Sequence, residues 1–393
     1  MTVPAPSPSR LNLALRLSFF YAAVFGTVGV NTPFFPVWLS SRGMDAAQIG
    51  ILLAVVSWVR VVTTPWLGGV AERMGERRRP MAVLSAVALA AFSSYGLVDG
   101  FWGYLCVGIV AGVTHAAVMP LGENVTMSMA PAARLDYGHM RLWGSFSFIL
   151  AAAGGGWFLQ GRAADAILWL MIGTMALMFM ACCLLPEPRL PRAHAHTTPV
   201  RRLLSNRLFL LFVFSCGLLQ ASHAVVYGFG TLHWRASGLD DATIGWLWAE
   251  GVLAEVVLFA LGARVMRKLG PLHLLLLAGG AGVVRWAITA ATADLEVLIA
   301  IQLLHGFTFG AAHLGAMYFI QRAAPPGLSA SAQSLYSAVG NSVVMGLALL
   351  VAGPLYEALG GGAFAVMALF SAGGMAGVWT LGRRWKGDAF AAA

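Results

Sequence analysis

The chain has 393 residues, 59% hydrophobic and only 10% charged, where a soluble globular protein carries roughly 25% charged residues. That composition cannot cover a water-facing surface, so most of the solvent is lipid. The formal net charge of +9 would suit nucleic acid, but the positions of the charges exclude that use.

A membrane helix needs roughly 20 predominantly apolar residues. In chain order, spans are predicted at about 16–39, 49–70, 81–98, 102–128, 138–160 and 165–185, then at 208–232, 243–264, 271–292, 296–320, 329–352 and 362–382, twelve in all. Of the 25 Lys and Arg, three (Arg42, Arg162, Arg235) fall in odd-numbered loops and three (Arg60, Arg141, Arg285) inside spans; the remaining nineteen lie at the termini or in even-numbered loops. Basic loops stay cytoplasmic, so both termini are expected in the cytoplasm of a multi-pass protein of the plasma (inner) membrane. The first apolar run is too long for a cleavable signal peptide and reads as a retained helix. The four cysteines (Cys106, Cys182, Cys183, Cys216) sit in apolar runs without metal-ligand spacing.

Residues 34–75 and 229–270 align without a gap at a shift of 195, half the chain. Twelve positions are identical, among them Gly43/Gly238, Asp45/Asp240, Gly50/Gly245 and Gly75/Gly270. An even number of spans per half gives both halves the same orientation. The expected fold is therefore an all-α membrane protein of two six-helix bundles, 1–185 and 208–393, in pseudo-twofold parallel repeat. Transporters built this way bind substrate near the midplane between the halves. The polar, basic segment 186–207 reads as a cytoplasmic linker.

The loop after the second span, GGVAERMGERRR at 68–79, resembles the G-x-x-x-D-R-x-G-R-K motif of the major facilitator superfamily. Gly68, Arg73, Gly75 and Arg77 match, and Glu72 stands at the aspartate position. The resemblance implies that these five residues brace a cytoplasmic gate.

Ionisable residues at membrane depth usually face the bundle interior and mark a substrate or ion path. Here they are Arg60, Glu123, Arg141, Glu250, Glu255 and Arg285, joined by His115, His223, His305 and His313. Arg60 and Glu255 occupy equivalent places in the repeat, which predicts that they face each other across the central axis. Glu123 follows Pro120 and Gly122, which predicts a helix break just before it. Glu123 and Arg141 lie near the cytoplasmic ends of their spans, where snorkelling to the interface is the alternative reading.

PFFPVWL at 33–39, Pro120-x-x-Glu123 and D-Y-G-x-x-R-x-W-G-S at 136–145 resemble the lactose-permease-related branch of that superfamily. LLLLAGGAGVVRWAI, with Arg285, and QLLHGFTFGAAHLGAMYFI, with His305, continue the likeness. The resemblance implies that Glu123 and Arg141 belong to a substrate site. One departure stands out: Thr308 replaces the carboxylate that sugar permeases keep three residues after that histidine.

LLQASHAVVYGFGTLHWRASG at 218–238, IGWLWAEGVLAEVVLFAL at 244–261 and LLHGFTFGAAHLGAM at 303–317 are similar to the 3-phenylpropionate permeases. The likeness runs over nearly the whole chain and implies a proton-coupled importer of an aromatic carboxylic acid, working by alternating access. Such a ligand needs a cation for its carboxylate and an apolar wall for its ring. Arginine offers a planar fork, and the candidates are Arg141, Arg60 and Arg285, in that order. Trp143 is the aromatic candidate, although residues i and i+2 do not share a helix face. Asn31, Gln220, His223 and Asn341 are candidate hydrogen-bond partners. Proton coupling needs a group that changes charge near neutral pH. Glu255 and Glu123 are the carboxylate candidates, with Glu250 near them and His305 and His223 as alternatives; Arg285 is expected to hold Glu255 by charge.

The expected partners are thus a small molecule, protons and the lipid bilayer, with no nucleic acid and no cofactor. No G-x-x-x-x-G-K-[ST] phosphate loop or nucleophile motif is present, which argues against ATP drive or an enzyme. The competing readings are a proton symporter for a sugar or nucleoside, and a non-transporting membrane sensor.

Overall fold

The computed structural model of the chain describes residues 9–187, 203–325 and 328–390. The linker expected at 186–207 therefore falls mostly outside the described residues. In the first half, α1 (Arg10–Ser41), α2 (Ala46–Met74), α3 (Arg78–Ser94), α4 (Gly100–Met129), α5 (Tyr137–Leu159) and α6 (Asp165–Leu184) follow one another. In the second, α7 (Arg207–Ala236) precedes a continuous helical run, Asp241–Ala291. That run kinks at Gly270 (φ 71°), just before Pro271, and so divides into α8 (241–269) and α9 (271–291).

α10 spans Leu295–Ala323. Eleven stretches among the described residues are long and apolar enough to cross a bilayer; the last of them, Ser329–Arg384, has 56 residues. A straight helix of that length would reach about 84 Å, against roughly 30 Å of hydrocarbon. It turns at Gly360 (φ 53°), leaving α11 (329–359) and α12 (Ala363–Arg384).

The repeat identities have structural reasons. Gly43 and Gly238 adopt φ of 81° and 91°, a region that favours glycine. Two residues on, Asp45 and Asp240 cap α2 and α8, accepting from the backbone N–H groups of Gln48 (2.7 Å) and Thr243 (2.9 Å). That bond holds the Asp240 carboxyl below the usual carboxylate range.

Across the halves, α2 packs on α11 and α5 on α8. Close backbone approach is the device in both pairs. A methyl built on Gly50 would lie 3.2 Å from the Cα of Gly353, and one built on Gly245 would lie 3.1 Å from the Cα of Gly156. All four glycines sit toward the end that carries the α1–α2 and α7–α8 loops. One apolar cluster runs through the first half and into that end of the second, through Phe229, Trp234, Leu247 and Phe364. A separate cluster (Phe209, Phe212, Leu274, Phe319, Leu381) fills the opposite, basic end of the second half alone. The halves are therefore pressed together at the α1–α2 loop end and, among the described residues, share no apolar core at the basic end.

The motif loop belongs to this basic end. Gly75 (φ 69°) ends α2. Arg77 is buried and donates to the carbonyl of Ala71 (2.7 Å) and to Asn124 Oδ1 (3.4 Å). Glu187 accepts from the backbone N–H groups of Arg77 (2.5 Å) and Arg78 (3.0 Å), placing its charge at the start of α3. Gly68 is partly buried, whereas Glu72 and Arg73 are exposed.

The glycine contacts generate a prediction. Gly245→Leu should hold the α1–α2 loop end apart. With the four native cysteines replaced, a Leu53→Cys probe should then react roughly tenfold faster with an impermeant maleimide supplied from that side. An unchanged rate would show that this end does not depend on the close approach.

Candidate substrate cavity

Between the halves lies a cavity of about 580 Å³, lined from α1, α2, α5, α7, α8, α9, α10 and α11. That is a size suited to a small molecule. Its closed end is formed by buried residues such as Leu247 (1% exposed) and Gln302 (4%). Toward the basic end the lining opens: the Arg141 side chain is 33% exposed. Among the lining residues are three guanidinium groups (Arg60, Arg141, Arg285) and one carboxylate (Glu255). Asn31, Gln220, His305, His313 and Asn341 add neutral polar groups, set among Phe25, Phe148, Tyr227, Trp248 and aliphatic side chains.

The second half builds its wall around Arg285. Its NH1 donates to His305 Nδ1 (3.0 Å) and to Thr308 Oγ1 (2.9 Å), and its NH2 donates to Gln302 Oε1 (2.6 Å). Arginine has donors only, so Nδ1 of His305 accepts and its proton sits on Nε2. That nitrogen points to Glu255 Oε2 at 3.9 Å. Thr308 also lies 3.1 Å from His223 Nε2, while His223 Nδ1 lies 3.0 Å from the carbonyl of Gln220. A carbonyl only accepts, so Nδ1 carries the proton, and neutral His223 takes the Thr308 hydroxyl proton in a hydrogen bond at Nε2. Gln302 closes the network by donating to the carbonyl of Leu247 (3.1 Å).

Glycines let α8 and α10 meet closely enough for this. A methyl on Gly251 would lie 3.2 Å from His305 Cβ, one on Gly306 2.8 Å from the Ala254 carbonyl oxygen, and one on Gly310 3.4 Å from Glu255 Cγ. Gly306 and Gly310 form a small-xxx-small pair. They fall within a π-helical segment, Gly306–Ala311. Two more π segments, Val226–Gly230 and Tyr336–Val344, place Tyr227 and Asn341 on the cavity wall. Such bulges recur at functional sites.

In the first half, Arg141 lies over the Phe25 ring, 4.0 Å from its centroid, and 5.7 Å from that of Tyr21. Its Nε is 3.9 Å from Glu123 Oε1, which accepts from the Tyr137 hydroxyl at 3.1 Å. Arg60 donates from Nε to the carbonyl of Gly112 on α4 (3.1 Å). Trp58 Nε1 reaches across the halves to the carbonyl of Val343 (3.2 Å).

Several expectations need correction. Trp143 is 55% exposed, packs beside Phe146 and does not line the cavity; Phe25 holds the place against Arg141, because the residue after next points off the helix's other side. Glu250, five residues before Glu255, is likewise turned out of the lining. His223 is fully buried behind the wall, both ring nitrogens engaged. Arg285 does not pair with Glu255; His305 lies between them. α4 is not broken before Glu123: it runs continuously through Pro120, and Gly122 instead makes room for the Phe20 ring. Arg60 and Glu255 line the same cavity, with no ion pair between them among the described residues. Gln302 and Tyr137 were missed; an amide in an otherwise apolar run three residues before His305 was the available signal for the first.

The helical halves and the cavity between them define a membrane transporter, not an enzyme. The chain matches the MFS_1 like family over residues 14–388 and belongs to that family, within the major facilitator superfamily. It is 33% identical over 365 residues to the probable 3-phenylpropionic acid transporter of Escherichia coli, covering 90% of this chain and 94% of that one. It is 28% identical over 350 residues to the maltose permease of Geobacillus stearothermophilus, covering 86% of each. Among solved structures, the nucleoside transporter NupG superposes with a TM-score of 0.81 at 17% identity, over 95% of this chain and 100% of that one.

Thr308 is the hinge of the polar network. Thr308→Val should leave His223 Nε2 and one Arg285 donor unsatisfied in a buried setting, at a cost of about 1–3 kcal/mol. Thermal unfolding of the purified protein should show the loss, and Thr308→Ser should restore most of it.

Proposed function

We propose that the chain is a proton-coupled symporter that imports a small aryl carboxylic acid of the 3-phenylpropionate kind by alternating access. The observation that carries this reading is the charge of the cavity: three guanidinium groups against one carboxylate, within an apolar and aromatic wall. Ion burial without a partner is expensive. A cavity with that excess of fixed positive charge favours an anion, and its rings and aliphatic side chains favour an apolar body attached to it. The relationship to a probable 3-phenylpropionic acid transporter supports the same ligand class.

With the basic loops in the cytoplasm, the pressed end is the outer one and the cavity is reached from inside. Arg141, held by Glu123 and the Phe25 ring, stands at the cytoplasmic mouth. Glu255 carries the proton. His305, with its Nε2 proton toward Glu255 and its Nδ1 taken by Arg285, links the proton site to the fixed charge of the wall. A protonated Glu255 leaves the cavity more positive, so proton and anion favour each other's binding.

The maltose permease and nucleoside transporter relationships support a second reading, a neutral polyhydroxylated substrate meeting Asn31, Gln220 and Asn341. Purified protein in liposomes separates the two. Labelled 3-phenylpropionate should accumulate under an inward proton gradient and collapse with a protonophore. Accumulation of a neutral glycoside or nucleoside instead would sink the aryl acid reading.

Glu255→Gln tests the proton site. It should retain counterflow exchange of the acid yet lose uphill accumulation at least roughly tenfold. Accumulation at the original level would place the proton on another group.

A further inference from the structure

The three cavity arginines are not equivalent. Arg285 is the most heavily engaged: His305, Thr308 and Gln302 accept three hydrogen bonds from its terminal nitrogens, and its Nε is buried with no acceptor among the described residues. Arg141 is engaged on two sides, by the Phe25 ring at 4.0 Å and by Glu123 at 3.9 Å. Arg60 makes a single hydrogen bond among the described residues, from Nε to the Gly112 carbonyl. All sixteen acidic residues lie among the described residues, yet none comes within 4.0 Å of Arg60. Among the described residues its terminal nitrogens have no hydrogen-bond partner, and Arg60 lines the cavity.

The seat of Arg60 is built from α4. Gly112 supplies the carbonyl, and a Cβ there would clash with Val56 Cγ1 and lie 3.3 Å from Arg60 NH2, so the glycine lets this turn of α2 pack closely on α4. One turn along the same face, His115 keeps Nε2 buried and without a partner among the described residues. Anchoring Nε leaves the NH1–NH2 edge of the fork free, the edge that takes a carboxylate through two parallel hydrogen bonds.

We infer that Arg60 is the carboxylate anchor of the substrate, and that the aryl ring lies toward the closed end, against Leu53, Phe148, Tyr227, Trp248 and Leu349. The inference rests on the aryl acid reading and deepens it by assigning the anion to one side chain. Arg141 then serves the mouth of the cavity and Arg285 the proton site. Arg60 and Glu255 are equivalent positions of the repeat, so the internal duplication puts the substrate's charge on one half and the proton on the other.

The test compares 3-phenylpropionate with its neutral amide, 3-phenylpropionamide, by calorimetry on the purified full chain. Wild type should bind the acid roughly 10- to 100-fold more tightly than the amide, the range of a charged hydrogen-bonded contact. Arg60→Gln should remove that preference by weakening the acid far more than the amide, and the amide binding that remains shows that the variant is folded. A retained preference overturns the assignment. Wild-type protein that binds neither ligand overturns the aryl acid reading, and the anchor with it.

A measurement on the wild type keeps the idea testable if Arg60→Gln fails to fold. Phenylglyoxal modification of Arg60, read by mass spectrometry, should slow roughly tenfold or more with the acid and be unaffected by the amide. Absence of protection by the acid overturns the proposal.

Discussion

A guanidinium withdrawn from water must find acceptors, and Arg285 finds three in a buried site. Removing any one of them leaves a buried donor of a charged group unsatisfied, which costs more than the net worth of the bond. This requirement organises the second half. Gln302 and His305 must come from α10, Thr308 from one turn further along it, and His223 from α7 to receive the threonine hydroxyl. Because arginine cannot accept, it also decides which nitrogen of His305 carries the proton, and so what Glu255 faces.

The glycines make that geometry attainable. α8 and α10 approach through Gly251, Gly306 and Gly310, and the halves meet through Gly50–Gly353 and Gly156–Gly245. In lipid there is little hydrophobic drive between helices, so close van der Waals packing of small residues takes its place. The same chemistry thus serves two ends: a rigid wall within the second half and a separable contact between halves. The duplicated segments use it symmetrically, which is why Gly50 and Gly245 are identical across the repeat.

The charges, in contrast, break the symmetry. Arg60 and Glu255 are equivalent positions of opposite sign. Thr308 sits where the resemblance to sugar permeases expects a carboxylate, and its hydroxyl both accepts from Arg285 and serves His223. A carboxylate there would neutralise Arg285 directly. With a hydroxyl instead, Arg285 keeps its charge, and the carboxylate of the wall comes from α8, one imidazole away. The cavity is left with excess positive charge, the property that sets the ligand class proposed for it.

Hydropathy and charge order are one-dimensional, and what depends on them was legible in the chain. The apolar runs, the basic loops, the half-chain repeat and the set of charged residues at membrane depth follow from transfer free energy per residue. The family likeness followed from short motifs such as Pro120-x-x-Glu123 and 68–79. Rotation about each helix axis, and the few ångströms between neighbouring helices, are not encoded in any local run. Only the packed structure turned Glu255 inward and Glu250 out, and placed Phe25 rather than Trp143 against Arg141. It also set His305 between Arg285 and Glu255, carried α4 unbroken through Pro120, and left Arg60 without a counter-ion. Those outcomes were decided by which side chains from distant parts of the chain could satisfy one another's hydrogen bonds and charges away from water, a condition that exists only once the helices have come together.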